Sequence, residues 1–494
     1  MSESIQVNGI QIDSITITAT DGETKYNIND IVIEFNIYES SEQPFMTADF
    51  VITDAVALTT RIPIVGGEKV EVTFHTPVDG MKDKPFSKTF RVFAIKKFSV
   101  YNKARKADYI LRCFDVEYFN DLTKKVQKSY ADKPVSDMVA DIAKEYLSIS
   151  ELKTNSPTDG MPTIVVPNLN PSEAILSLLC RYAKSKEYGE VSNYTFFSSQ
   201  DGYHFTSYED MIDLKKKGSD YQIDKYTFTE KNLLSRSNVT LSPEVGAETK
   251  QNTPTPDPPS ESARRQKSKK PEEFLRIDDF EFVNKMDVEK ALSAGMFDNV
   301  IYYINPTVRS YQRKIFNYLK EFEKMKHLFL QTNVGKGFPI VGESNEEFAN
   351  LKGDSKHIYL LTNEGNQHGN PIVDDKRYEF SGFRNASISM LNSVIVNLYI
   401  PGDNTRKVGD IIEIVFPEYG ATDDILGEVD RFVSGAYLVT AVRHLHNIEG
   451  GYTCILRCQK NCFEESVEKR LTNSYNSQME DEGKADIKEN TPTP

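Results

Sequence analysis

The sequence predicts an α+β, mostly β fold in which one small antiparallel β-barrel domain occurs twice, separated by a helical region. Three short strings recur in the same order near the two ends, and only the loops between them change length. The matched pairs are 67–74 with 409–416, 92–96 with 439–443, and 110–113 with 455–458, the last reading Ile-Leu-Arg-Cys in both. Because each chain carries the domain twice, a ring with an odd number of chains presents twice as many equivalent domains as it has chains.

The first copy is expected to span residues 1–117. Val70, Val72 and Phe74 alternate with polar residues, which is the period of a half-buried strand. Further strand candidates lie at 31–33 and 48–52. This pattern favours an antiparallel barrel or sandwich.

Residues 118–220 are expected to form a small α+β domain. Pro134 suits a first helical turn and precedes a stripe of apolar residues. The stripe comprises Val135, Met138, Val139, Ile142, Ala143 and Tyr146. A second helix is predicted with Asn170 as its N-cap and Pro171 in its first turn. A hairpin is expected over 194–205.

Strand signals return in the C-terminal half and predict the second barrel, interrupted by an insertion. The expected segments are 221–245 and 376–465 for the barrel, 246–375 for the insertion, and 466–494 for a C-terminal helix and acidic disordered tail. Residues 376–390 are expected to be helical. Within the insertion, strands are expected at 280–282, 300–304 and 328–330, around a helix at 311–326. The stretch from about 244 to 273 is rich in proline and charge, which predicts a disordered linker.

Composition excludes several function classes. With 494 residues, three or four domains are expected. The net charge of −14 argues against a protein that mainly grips nucleic acid. No stretch of about 18 apolar residues is present, so no membrane-spanning helix is expected. Five irregularly spaced cysteines indicate free thiols and a reducing compartment.

Two groups of residues invite a metal interpretation. Cys454, Cys458 and Cys462 are four residues apart, and His444 and His446 share a strand face. Neither group has the Cys-x-x-Cys or His-Glu-x-x-His spacing that metal sites favour. Buried thiols and structural histidines are the favoured interpretation.

The remaining motifs are weaker still. They are the Walker-like 335–337, the acidic pairs 278–279 and 423–424, the loop residues His357, His368, Asp374 and Asp375, and the sequons at Asn193, Asn238 and Asn385. The basic cluster 264–270 is interpreted as a solubilising loop, with DNA or an acidic partner as the alternative. We therefore assign no catalytic, cofactor-binding or metal-binding residue and expect a non-enzymatic, structural protein.

Three segments resemble one known family, the baseplate central hub protein of contractile-tailed, T-even-like bacteriophages. The segments are 37–70, 171–205 and 437–445, and the resemblance spans about Ile10 to Leu471. In that family each chain carries two tail-tube-like barrels, and three chains form a ring.

The resemblance implies a homotrimeric, pseudo-hexameric ring that adapts a trimeric central spike to the hexameric tail tube of the virion. Implied partners are the spike, the tube or a tube-initiator protein, baseplate wedge proteins and the tape-measure protein. No cofactor, specific nucleic-acid binding or membrane association is implied, and assembly is expected in the host bacterial cytoplasm. A tail-associated peptidoglycan hydrolase and a tube-initiating tail protein stay open as alternatives.

Overall fold

The structure is a computed structural model. It describes residues 8–101, 105–217, 221–228, 270–306, 309–330, 337–352, 355–361, 366–367, 370–371, 377–417, 429–430 and 432–472.

The N-terminal part is built from strands with one short helix. Its elements are β1 (Gln11–Thr18), β2 (Lys25–Asn27), β3 (Val32–Ser40), β4 (Thr47–Asp54), α1 (Leu58–Arg61), β5 (Lys69–His75), β6 (Phe86–Tyr101) and β7 (Lys106–Asp115). The expected alternation is confirmed in β5, where Val70, Val72 and Phe74 are fully buried.

The middle part mixes short helices with small sheets. Its elements are α2 (Tyr118–Thr123), β8 (Val126–Tyr130), α3 (Val135–Ile142), β9 (Leu152–Thr154), β10 (Thr158–Asp159), β11 (Ile164–Leu169), α4 (Pro171–Glu173), α5 (Cys180–Tyr182), β12 (Lys184–Ser185), β13 (Tyr194–Ser199), β14 (Gly202–Ser207) and α6 (Tyr208–Ile212). A π-helical turn, Ala143–Leu147, continues α3, and another, Ala174–Leu179, joins α4 to α5.

The C-terminal part contains the remaining strands and helices. Its elements are β15 (Lys225–Phe228), β16 (Arg276–Ile277), β17 (Asp279–Asn284), α7 (Val288–Ser293), β18 (Asp298–Asn305), β19 (Ser310–Asn317), α8 (Tyr318–Glu321), α9 (Glu346–Ala349), β20 (His357–Leu361), β21 (Asn366–Gln367), β22 (Asn370–Pro371), α10 (Arg377–Leu391), β23 (Val394–Pro401), β24 (Ile411–Val415), β25 (Gly435–Asn447) and β26 (Gly451–Lys460). A helix at 467–472 follows, as expected.

The strands of both ends belong to one 14-stranded sheet. Its main path runs β16-β15-β24-β25-β3-β4-β7-β6-β5-β1-β2, and β26, β23 and β17 continue from β25. Among the described residues this sheet does not close into a barrel. The expectation of two β-barrel domains is therefore not confirmed, and the strands instead form two groups in one open, curved sheet. The curvature brings Phe35 of β3 against Phe74 of β5, with ring centroids 5.2 Å apart.

Five strands from each end share one topology. In chain order β3 to β7 correspond to β17 and β23 to β26, which we call the N-terminal and C-terminal strand sets. Their spatial orders are β5-β6-β7-β4-β3 and β24-β25-β26-β23-β17, with every neighbouring pair antiparallel. The strand beyond each set differs, because β1 runs antiparallel to β5 whereas β15 runs parallel to β24.

The helix and hairpin predictions in the middle part are confirmed, and Asn170 occupies the N-cap position with Pro171 in the first turn, as expected. Two details of the helix starts differ from the sequence interpretation. Pro134 is the residue before α3 rather than part of its first turn, and the side chain of Asn170 makes no capping hydrogen bond to the helix it precedes. Oδ1 of Asn170 is buried and has no hydrogen-bond partner among the described residues. β13 and β14 form the expected hairpin.

The insertion differs from its sequence interpretation in three places. Residues 279–284 form β17 of the C-terminal strand set, because they pair with β23. The first half of the helix expected at 311–326 belongs to strand β19, since pairing with β18 outweighs the local helical pattern, whereas residues 318–324 are helical as expected. No strand forms at 328–330. The helix α10 matches its expected position.

Most of the expected linker (244–273) and of the expected acidic tail lies outside the described residues.

Candidate assembly interface

The two strand sets share their turn geometry at the level of single hydrogen bonds. The backbone N–H of Gly67 donates to the carbonyl of Val92 at 2.8 Å, and Gly409 donates to Val439 at 2.9 Å. Each valine N–H in turn donates to the carbonyl of the residue after that glycine, at 2.8 Å in both sets. Gly67 and Gly409 have φ values of +99° and +89°, a region that L side chains rarely adopt.

The same β-bulge occurs in both sets. Pairing between β6 and β7 shifts between Val92 and Ala94, and pairing between β25 and β26 shifts between Val439 and Ala441. The bulges lie opposite the two Ile-Leu-Arg-Cys strings, so the residues can be matched one to one. The repeated strings therefore mark equivalent positions of one duplicated fold.

The two sets are joined edge to edge inside the chain. The second half of β25 pairs antiparallel with β3, from Ala441 opposite Ser40 to Asn447 opposite Glu34. The first half of β25 pairs along the same edge with β24 of its own set. One long strand thus belongs to its own set at one end and joins the neighbouring set at the other.

Side chains reinforce this junction. Nε of Arg443 donates to Oδ1 of Asn36 at 2.8 Å, and its guanidinium lies 5.4 Å from the ring centroid of Tyr38. Nδ2 of Asn447 donates to Glu34 at 3.0 Å. These polar contacts fix the register of the pairing.

Glu39 is the buried centre of the junction. Its carboxyl accepts from the N–H of Val408 at 2.6 Å and from the N–H of Gln200 at 3.3 Å. Burial raises the pKa of Glu39 to about 8, although the two backbone donors act in the opposite direction. Glu39 thereby links β3, the C-terminal strand set and the β13–β14 hairpin.

The hairpin of the middle part is fastened to both sets. Nζ of Lys88 on β6 donates to Oγ of Ser198 at 2.9 Å, and Oγ1 of Thr195 donates to the carbonyl of Ser41. Lys407 of the C-terminal part forms an ion pair with Asp201 at the hairpin turn. The middle part therefore packs over the place where the sets meet.

A buried charge cluster holds the C-terminal strand set together. Arg406 forms ion pairs with Asp224, with Asp403 at 3.2 Å and with Asp410 at 3.4 Å. Lys270 lies 2.5 Å from Asp403 and 3.1 Å from Asp224. Burial alone would raise the pKa of Asp403, but the two cations lower it. Lys270 is the one described residue of the basic cluster 264–270. It forms buried ion pairs inside the protein, so its interpretation as part of a solubilising loop is corrected.

The cysteine and histidine groups form no metal site within the described residues. All five cysteines are free and buried. Burial raises the pKa of Cys454 and of Cys462 to about 12 and lowers the pKa of His444 to about 4. Nδ1 of His444 lies 2.8 Å from Oη of Tyr452, inside the core.

The described residues of the other sequence motifs make structural contacts. Asn193 is buried and donates to Glu209, and Asn385 donates to the carbonyl of Ala294 at 2.6 Å. Asp278 pairs with Arg276, and His357 lies on β20. Asn238, His368, Asp374, Asp375, the pair 423–424, residues 335–336 and residues 264–269 lie outside the described residues.

A surface cavity of about 350 Å³ lies between β6 and the middle part. Its charged lining includes Lys88, Glu117, Lys153 and Asp201. Oη of Tyr203 donates to Glu117 at 2.9 Å, and burial raises the pKa of this tyrosine well above its usual value. The cavity is polar and mixed in charge.

No described helix has the length and apolar character needed to cross a bilayer.

The sequence matches no protein family and no curated protein. Solved structures do resemble the chain. A tail protein from Neisseria meningitidis is 10% identical with a TM-score of 0.48, and the alignment covers 92% of this chain and 97% of that one. The 43 kDa tail protein of a Shewanella oneidensis prophage is 11% identical with a TM-score of 0.47, covering 91% and 98%. An Escherichia coli component of the type VI secretion system is 9% identical with a TM-score of 0.36, covering 91% and 76%.

These neighbours are two tail proteins and one component of the type VI secretion system. Their TM-scores are below 0.5, so the functional proposal depends on this chain's own geometry.

The residues that form the junction were not found from the sequence. Glu39 and Arg406 carry no motif, and only burial against partners distant in sequence gives them their roles. An acidic residue within the apolar pattern of β3 was the one available signal.

Proposed function

We propose that the chain is a structural hub of a contractile tail baseplate, in which three copies form a pseudo-hexameric ring. The ring adapts a trimeric central spike to the hexameric tail tube. The hub is not an enzyme, and its place is the virion, after assembly in the cytoplasm of the host.

The observation that carries this proposal is the duplication of the strand sets together with their edge-to-edge joint. Two equivalent sets side by side within one chain make a repeating unit of two. Three such chains around a threefold axis present six equivalent sets, which match a sixfold partner. Features outside the sets, such as the middle part and the insertion, occur once per chain and suit a threefold partner.

We further propose that 118–220 is a domain of its own. Most of its buried apolar side chains form a hydrophobic cluster separate from the large cluster of the strand sets, and only Val191, Phe197, Met211 and Ile212 pack into the large one. The second tube-like domain then comprises 221–228, 276–284 and 394–460, and residues 285–393 are its insertion.

The partners follow from the ring. One face meets the tube or a tube-initiator protein, and the opposite face meets the spike. Wedge proteins at the rim and a tape-measure protein in the lumen are further proposed contacts. A tube-initiating role is less consistent with two sets per chain, because tube proteins build hexamers from one.

Light-scattering mass after size exclusion tests the proposal, with the chain alone and with a candidate spike protein. The expected result is a trimer, three times 56.1 kDa. A monomer at micromolar concentration in the presence of the spike would contradict it. Peptidoglycan clearing by the purified chain on a zymogram would instead favour the hydrolase alternative.

A further inference from the structure

Two strand edges remain open at opposite ends of the duplicated array. Within the described residues, β17 pairs with β23 on one side and with no strand on the other. Strand β6 pairs with β7 on one side along most of its length. On its other side it pairs with β5 only as far as Arg91, and there the stretch from Ile95 to Tyr101 has no partner among the described strands. Open edges of this kind are templates for pairing with another chain.

The duplication identifies what each open edge is equivalent to. β17 occupies the position of β3, and the second half of β6 occupies the position of the second half of β25. Those equivalent elements are the two that pair at the internal junction. The chain therefore carries one completed joint and the two unpaired halves of a second.

Residue matching gives the register of the second joint. Through the Ile-Leu-Arg-Cys strings and the strand pairings, Ser99 corresponds to Leu445, and Glu281 corresponds to Asn36. Leu445 lies directly opposite Asn36 in the internal joint.

The two open edges are chemically complementary. The β6 edge carries Lys96 and Lys97, and the β17 edge carries Asp279 and Glu281. Both edges also expose large apolar side chains, and clusters of exposed apolar side chains on soluble proteins often mark interfaces with other chains. These side chains are Phe98 (52% exposed), Val100 (53%), Tyr101 (41%) and Val283 (49%).

We infer that the β6 edge of one copy pairs antiparallel with the β17 edge of the next copy, with Ser99 opposite Glu281. The occupant of each edge is thus a second copy of this chain, and the inference rests on the proposed ring. The contact is heterologous, so it propagates from chain to chain until the rotation closes. Lys96 corresponds to Arg443, so it faces Glu281 as Arg443 faces Asn36 at the internal joint.

Engineered disulfides test this register in the full-length chain. The double variant Ser99→Cys/Glu281→Cys is expected to form a covalent trimer under mild oxidation, seen on a non-reducing gel. An equimolar mixture of the two single variants should stop at dimers, which shows that the bond joins different chains. The native cysteines are buried and should contribute little background.

The matched control moves one cysteine by two positions along the same edge. Ser99→Cys/Asp279→Cys places the Cα atoms beyond disulfide reach, so at least about ten-fold less cross-linked product is expected. Leu445→Cys/Asn36→Cys is the intramolecular reference and should oxidise without a change in mass.

The outcomes separate the inference from the proposed function. A trimer by light scattering with no cross-link, or with equal cross-linking of the displaced pair, overturns the edge pairing and leaves the hub proposal standing. Cross-linked chains that extend beyond a trimer support the edge pairing and overturn the trimeric ring. A monomer with no cross-link overturns both.

Charge reversal gives a second measurement that does not depend on oxidation. Lys96→Glu and Glu281→Lys should each weaken the trimer, so that it dissociates at a higher protein concentration than the wild type. The combined variant should restore this concentration toward the wild-type value. Failure of the combined variant to recover, with both single variants folded, would contradict the pairing of these two residues.

Discussion

The N-terminal and C-terminal strand sets have the same strand order but different surroundings. The connection between the first two strands of the N-terminal set is six residues, 41–46, whereas its counterpart holds the 109 residues of 285–393. The insertion replaces a short connection and leaves the five-strand order intact. The comparison teaches that a duplicated fold conserves its turn and bulge geometry while its connections diverge.

The two sets also differ in how their charges are held. In the N-terminal set, Arg112 makes a bidentate pair with Asp49 at 2.5 and 2.6 Å near the surface. The equivalent positions of the C-terminal set are Arg457 and Asn397, and Nε of Arg457 has no hydrogen-bond partner among the described residues. The C-terminal set relies instead on the buried cluster around Arg406.

The largest expected difference between the sets is in the stability lost when Arg406 or Arg112 is replaced. Arg406→Ala should lower the free energy of unfolding by about 3–5 kcal/mol, because it leaves Lys270 as the one remaining cation of the described cluster beside the buried carboxylates of Asp224 and Asp403. Arg112→Ala, at a partly exposed pair, should cost about 1 kcal/mol or less. Chemical denaturation of both variants checks this. Equal losses would show that burial does not distinguish the two clusters.

The junction between the sets should make stability depend on pH. The pKa of Glu39 is raised to about 8 from 4.5, so the folded state holds its proton where the unfolded state releases it. The contribution of Glu39 to the free energy of unfolding should therefore be largest below pH 4.5. It should be lost as the pH rises from 4.5 to 8. The loss is on the order of 5 kcal/mol.

Denaturation of Glu39→Gln between pH 5 and 8 should show a flatter dependence than the wild type. Glu209→Gln provides the comparison, since burial raises the pKa of Glu209 to about 7 at a site away from the joint. This variant should keep the contribution of Glu39. A Glu39→Gln profile with the wild-type slope would remove Glu39 as the cause.

The shared glycines should respond alike. Gly67→Ala and Gly409→Ala each force an L residue to a φ near +90°, at an expected cost of about 1–2 kcal/mol. An added Cβ at Gly67 meets open space, and at Gly409 it meets only ordinary contact with Met211. Thermal unfolding of the two variants should thus give similar shifts. A loss confined to one set would indicate that the turns are not equivalent.

The smallest expected effect comes from exchanging the carboxylate between the sets. Asn397→Asp should give Arg457 a directly opposed partner and stabilise the fold by about 0.2–1 kcal/mol. Asp49→Asn should remove the corresponding pair and destabilise by a similar amount. The pair of variants can be compared by denaturation at low and high salt, where screening should reduce both effects. Destabilisation by Asn397→Asp would mean that the environment of Arg457 rejects the charge.

The sequence predicted the elements with strong periodicity or strong turn signals. The stripe from Val135 and the hairpin at 194–205 follow local rules, and both formed where expected. The first half of the helix expected at 311–326 was wrong because β18 offered it a hydrogen-bonding edge, which no local pattern reveals, while 318–324 formed a helical turn as expected. Residues 279–284 were placed in the insertion for the same reason, since their partner β23 lies about a hundred residues away.

The sequence by itself determined that one β-fold occurs twice, because the glycine turns, alternating strands and Ile-Leu-Arg-Cys strings are local and recur in order. Only the tertiary structure decided how the two copies meet. Backbone hydrogen bonds between strands are made by groups that every residue carries, so the pairing of β3 with β25 depends on which edges the folded sets leave open. Burial then gives Glu39 and Arg406 their roles, since the same side chains in water would be ordinary surface charges.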